Sequence, residues 1–167
     1  MKKSYLIFIT FIFLSSCNSI VKTIYDDTTA RYNAYFIANE EIKNIEEDYE
    51  KNLNQGFDSL IDLTYKIDTN QVSSIQERTQ NSIEKLSILI QRQTTSKYVY
   101  PSYALIGKSR LLNLNLKEAI TTLKYVNSKS NNNEANTMAL VYLLRAYTEN
   151  KDYNSAQEVD KFLTNRE

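Results

Sequence analysis

A chain of 167 residues has room for one domain, or for one stretch of a repeat array, but not for a catalytic domain with an accessory one. Its 20 basic and 20 acidic residues balance, and it contains no histidine, one cysteine, no tryptophan, two glycines and one proline. This composition excludes histidine bases and metal ligands, internal disulfides, cysteine-cluster metal sites and glycine-rich phosphate loops, and it predicts a protein without catalysis and without a cofactor.

Residues 1–16 read as an export signal, with Lys2 and Lys3 as the basic start, an apolar run from Tyr5 to Leu14, and Ser15-Ser16-Cys17 at its end. The run falls well short of the roughly twenty apolar residues that a spanning helix needs. Leu14-Ser15-Ser16-Cys17 resembles a bacterial lipobox. The resemblance implies cleavage before Cys17, diacylglycerol on its sulfur, and a mature chain in which loss of Lys2 and Lys3 leaves two more acidic than basic side chains. More than one acyl chain gives firm membrane attachment, where one gives only reversible binding. The alternative is an ordinary signal peptide followed by a free thiol. Asn18 and Ser19, with no acidic cluster after Cys17, resemble an outer-membrane sorting signal, which implies a lipid anchor there with the folded part in the periplasm. Residues 17–27 then form the lipidated tether.

Residues 28–92 form an N-terminal helical region, because apolar side chains recur with a period near 3.6. Tyr32, Tyr35, Phe36 and Asn39 share one face, and Ile42, Ile45, Tyr49 and Leu53 continue it, in one helix or in two joined near Asn39. Asp26, Asp27 or Thr28 is expected to cap its start. Gly56 interrupts the pattern, Phe57, Leu60, Ile61, Thr64 and Tyr65 form a further face, and Ile75, Thr79, Ile83, Leu86 and Ile90 form a third. Pro101 suits a first helical turn, where its missing N–H is not needed.

Residues 93–167 repeat a helix-pair pattern. Tyr103, Ile106, Gly107 and Leu111 precede a turn at 113–116 and a helix with Ala119, Ile120, Leu123 and Val126. After the polar linker 128–133, Leu140, Leu143, Leu144 and Tyr147 precede a turn at 150–152 and a helix with Tyr153, Ala156, Val159 and Leu163. Ala119 and Ala156 stand 37 residues apart. The pattern resembles the tetratricopeptide repeat, and it implies an all-α fold of antiparallel helix pairs in a right-handed solenoid. Leu144 occupies a place where a small residue is usual, which implies a wider helix crossing there. A plain antiparallel helical bundle needs the same binary pattern.

The acidic pairs Asp26/Asp27, Glu40/Glu41 and Glu46/Glu47 are adjacent in sequence, so on a helix they diverge and cannot form the facing carboxylates of a glycosidase. They are expected to serve as helix-start groups at 26–27 and as solvated face elsewhere, with Lys43 and Glu47 spaced for an i,i+4 pair. Basic residues lie scattered among acids, a poor footprint for nucleic acid. Thirteen tyrosines are many for this length. They either fill gaps between helices, as expected for Tyr32, Tyr35, Tyr49, Tyr103, Tyr147 and Tyr153, or offer rigid contact area to a partner. Tyr98 and Tyr100, beside the proline, are better placed for contact, and Tyr32, Tyr35, Phe36 and Asn39 are further candidates.

The string Thr29-Ala30-Arg31-Tyr32-Asn33-Ala34-Tyr35-Phe36-Ile37-Ala38-Asn39-Glu40 is similar to the start of the tetratricopeptide lipoproteins associated with type IX secretion and gliding motility in Bacteroidota. The likeness continues at Ile90-Gln91, Leu105-Ile106-Gly107-Lys108, Ala119, Leu123-Lys124-Tyr125-Val126 and Leu143-Leu144-Arg145-Ala146-Tyr147. It implies a periplasmic scaffold or adaptor for other envelope proteins, with Tyr103, Gly107, Ala119, Leu123, Leu144, Tyr147 and Ala156 as repeat-packing residues. Members of that family run through many more repeats, so the likeness covers their N-terminal module. A second class compatible with the sequence is a tethered module that binds glycan or peptide for outer-membrane nutrient uptake.

Overall fold

The computed structural model describes residues 20–53 and 72–165, and every regular element among them is helical. The expected export signal, Cys17 and the helix expected from Phe57 to Tyr65 lie outside the described residues. Helix α1 (20–30) passes through a π-helical turn, Arg31–Tyr35, directly into α2 (Phe36–Leu53). Then come α3 (Val72–Arg92), α4 (Val99–Leu112), α5 (Leu116–Lys129), α6 (Asn133–Glu149) and α7 (Tyr153–Thr164).

The expected cap at Asp26, Asp27 or Thr28 is corrected by the structure. The chain is already helical at Ile20, so these residues lie inside a helix. Residues 20–53 contain neither glycine nor proline to end it sooner. The π turn is closed by the Phe36 N–H donating to the Arg31 carbonyl, an i to i−5 bond that shifts the register of everything before it.

Each helix packs against the next, and the alternate helices α2, α4 and α6 also touch in series. Helix α4 sits in the middle of this arrangement and is buried on almost every side, from Ala104 through Ser109 and again at Leu111 and Leu112. It contributes to three apolar clusters, with Leu111 joining Ala119 and Ala146 in the smallest. Leu105, Ile106 and Leu112 join Ile42, Ile45, Tyr49, Ile75 and Leu86, while Ala104 joins Leu123, Val126, Ala135, Ala139 and Leu143. The α3 stripe is buried as expected at Ile75, Thr79 and Leu86, with Ile83 and Ile90 packed at its edge. Buried hydroxyls on α3 are satisfied within the helix, Thr79 Oγ1 donating to the Ile75 carbonyl at 2.7 Å and Ser82 Oγ to that of Arg78 at 3.0 Å.

The helix pairs α4/α5 and α6/α7 are closed by the same turn, displaced by 37 residues like Ala119 and Ala156. Asn115 N–H donates to the Arg110 carbonyl and Asp152 N–H to that of Tyr147, both at 2.9 Å. Leu114 N–H donates to Leu111 at 2.9 Å and Lys151 N–H to Thr148 at 3.1 Å. These nested bonds make a Schellman turn, in which the residue after the C-cap takes the left-handed conformation. Leu114 and Lys151 do so, with φ of 58° and 59°. Pro101 lies in the first turn of α4, where its lack of an N–H costs nothing.

Packing separates the expected repeat residues. Ala119 is fully buried against Leu111 and Ala146, and Ala156 is buried on α7. A Cβ added to Gly107 would come within 2.6 Å of Leu123 Cγ and Cδ2, so glycine is what lets α5 approach α4 there. Leu144, the corresponding place on α6, is half-buried. Tyr103 and Tyr147 pack at the edge of the core formed by α4, α5 and α6. Tyr153, expected between helices, is instead 60% exposed, at the first position of α7.

Candidate functional site: a tyrosine-lined groove

The segment 93–98 joins α3 to α4 and is held from outside by α1. Thr95 Oγ1 donates to Asp26 Oδ2 at 2.7 Å. Ser96 Oγ and the Lys97 N–H both donate to Asp27 Oδ1, at 2.8 and 2.9 Å. Ser96 Oγ in turn accepts from the Tyr98 N–H at 3.1 Å, next to the start of α4. The aspartate pair therefore serves a loop some 70 residues away rather than its own helix start. On the other side, the linker between α5 and α6 is equally fixed. Ser130 Oγ accepts from the Asn132 N–H at 2.9 Å, and Asn132 Oδ1 caps α6 by accepting from Ala135 N–H at 2.9 Å.

Between these two braced segments lies an open groove of about 700 Å³, lined by Thr23, Asp27, residues 94–97, Val99, Tyr100, Tyr103, Tyr125, Asn131 and Asn132. Its aromatic wall is ordered by ring contacts. Tyr103 meets Tyr125 edge-on with centroids 5.0 Å apart, and Tyr100 lies 6.5 Å from Tyr125. Burial, with Tyr125 and Tyr100 close by, pushes the Tyr103 hydroxyl above the ordinary phenol pKa, so it stays a hydrogen-bond donor well into alkaline solution. A smaller recess of about 230 Å³ shares Ile90 and Tyr103 with the groove and runs towards Arg110 and Thr122. Aromatic edges, neutral hydroxyls and the Asn131/Asn132 segment can hold a peptide or a sugar by contact and hydrogen bonding.

The structure divides the expected contact residues. Tyr100 lines the groove. Tyr98 does not line it. Its ring lies 4.9 Å from that of Tyr35, tilted by 45°, and Lys97 Nζ lies 5.5 Å over its face. Burial first, then Glu134 and Tyr98, raise the Tyr35 hydroxyl to about 12. Tyr32 and Phe36 point outward from the π turn and the start of α2, at 61% and 56% exposure, which corrects the expectation that Tyr32 fills a gap. Asn39 is half-buried and does not line the groove.

A charged cluster on the row α2, α4 and α6 was not legible in the sequence. Lys108 Nζ lies 2.6 Å from Glu46 Oε2 and 4.9 Å from the centre of the Tyr142 ring, and Tyr142 Oη donates to Glu46 Oε1 at 3.3 Å. Arg78 of α3 bridges Glu41 and Asp48 of α2, the latter at 2.9 Å. Burial opposes the guanidinium charge, but the two carboxylates outweigh it and hold its pKa above the ordinary value. Glu41 and Glu46 are thus tied to neighbouring helices, not solvated as expected, while Lys43 and Glu47 form the exposed i,i+4 pair at 3.7 Å. Gly107 next to Lys108 was the available signal, since the glycine already marked a crowded helix.

No protein-family model, curated protein or solved structure matches this chain.

Proposed function

We propose that this protein is a lipid-anchored scaffold or adaptor of the bacterial envelope, built as a tetratricopeptide-like right-handed solenoid, and that it holds protein partners for machinery of the type IX secretion and gliding kind. The observation that carries the reading is the 37-residue repetition of Ala119/Ala156 and of the Leu114 and Lys151 turns, bond for bond. Stacked pairs of this kind offer an extended surface for a partner chain. Supporting it are the Leu14-Ser15-Ser16-Cys17 string, the Tyr-Asn-x-Tyr-Phe-x-x-Asn-Glu string at 32–40, and a groove flanked by segments that hydrogen bonds brace. The anchor is Cys17, at the outer membrane with the helical body in the periplasm.

Crosslinking followed by pull-down from native envelopes tests the partner. Recovery of secretion or motility components is expected, and Tyr100→Ala with Tyr125→Ala should weaken it if the groove is the contact. Recovery of a glycan-uptake complex alone would favour the second reading, a nutrient-binding module, for which the aromatic and amide lining of the same groove is suited. The Cys17→Ala variant should lose detergent-dependent membrane association in fractionation, and unchanged association would sink the anchor.

A further inference from the structure

Helix α1 is amphipathic the wrong way round for a surface helix. Its polar side faces the protein, where Asp26 is buried and Asp26 and Asp27 receive hydrogen bonds from segment 95–97. Its apolar side faces out. Ile20, Val21, Ile24, Tyr25, Tyr32 and Phe36 are each between 56% and 67% exposed. The extra residue in the π turn brings Tyr32 and Phe36 back towards the side of the helix that carries Ile24 and Thr28, against the drift of a four-residue spacing. The Thr28 hydroxyl on that side is internally satisfied, Oγ1 donating to the Ile24 carbonyl at 2.8 Å. Lys22 and Arg31 flank the stripe, with the Arg31 guanidinium 5.3 Å over the Tyr32 ring.

From these features we infer that the outward face of α1 and the π turn lies on a phospholipid surface, with Ile20, Ile24, Tyr25 and Phe36 in the interfacial layer. The inference rests on the reading of Cys17 as the lipidated residue. Only Asn18 and Ser19 separate Cys17 from Ile20, a reach of at most about 11 Å over three Cα steps, so the anchor places the bilayer beside this stripe. Apolar residues with tyrosines and flanking basic groups are the composition of helices that lie in the interface. The groove is braced to α1 through Asp27, so docking would fix the groove's orientation and distance from the membrane.

The chain has no tryptophan, which makes one introduced indole a unique reporter. The full lipidated protein carrying Ile24→Trp, and separately Tyr25→Trp in case the first perturbs folding, is reconstituted into phosphatidylethanolamine/phosphatidylglycerol vesicles with brominated acyl chains. Both indoles should shift to the blue and be quenched, while Tyr153→Trp on α7 should do neither. Mass analysis of the N-terminal peptide reads the anchor independently. Lipid on Cys17 with a solvent-like, unquenched indole overturns the docked face and leaves the anchor standing. Absence of lipid on Cys17 overturns both. A blue shift without vesicles that grows with protein concentration assigns the stripe to a second copy, and one that requires envelope protein assigns it to a protein partner. Either result overturns the lipid assignment.

Discussion

At Gly107 an added methyl would stand 2.6 Å from two carbons of Leu123, a side chain with no exposed surface. Gly107→Ala gains about 1 kcal/mol of helix propensity but overpacks a tight crossing, at about 1–3 kcal/mol. The second effect should win, lowering the melting temperature by a few degrees, and pairing it with Leu123→Ala should recover part of the loss. A melting temperature unchanged by Gly107→Ala would show that α5 can retreat freely. Tyr35 gives a pH test. Its hydroxyl titrates at about 12 in the folded chain against an ordinary value of 10, so between those values the unfolded state has lost a proton that the folded state keeps. Stability must then fall as pH rises from 10 towards 12, and Tyr35→Phe should flatten that part of the alkaline unfolding curve. An identical alkaline slope in the variant would place the titration elsewhere. The aromatic and glycine positions were visible as residues, but whether Tyr35 was core and Tyr32 surface depended on the π turn, which has no reliable sequence mark.

The elements from α3 to α7 were legible because each pairs a 3.6-residue apolar period with a clear stop, such as the polar stretch 113–115 or 150–152. Pro101 also behaved as its backbone chemistry requires. The start of α1 was misjudged because aspartates next to threonine look like an N-cap, while their real acceptor role is filled by a loop far along the chain. The two Schellman turns carry a defined cost. Leu114 and Lys151 sit in a left-handed conformation that disfavours a side chain by about 1–2 kcal/mol, partly offset by the flexibility that glycine would add to the unfolded chain. Leu114→Gly and Lys151→Gly should therefore each stabilise the protein by about 0.5–1 kcal/mol, read as an upward shift in denaturant midpoint at constant slope. A loss of stability in both would mean that the exposed Leu114 and Lys151 side chains contribute more than the strain costs.

Across the whole molecule, protection should follow position in the row. Helix α4 touches α2, α3, α5 and α6, whereas α7 packs chiefly on α6 and buries only Ala156. Hydrogen exchange should find α7 amides opening first and those of α4 last, as in a chain of nearest-neighbour units. Equal protection of α7 and α4 would instead indicate one all-or-none bundle, the plain alternative to stacked repeats. By itself, the sequence determined the helical class and the 37-residue spacing, since periodicity and turn residues are local properties. Only the tertiary structure decided which charged groups meet, because Lys108 finds Glu46 across 62 residues, and Tyr142 finds it across 96. Such partners become neighbours through the order in which α2, α4 and α6 stack, and no local pattern along the chain records that order.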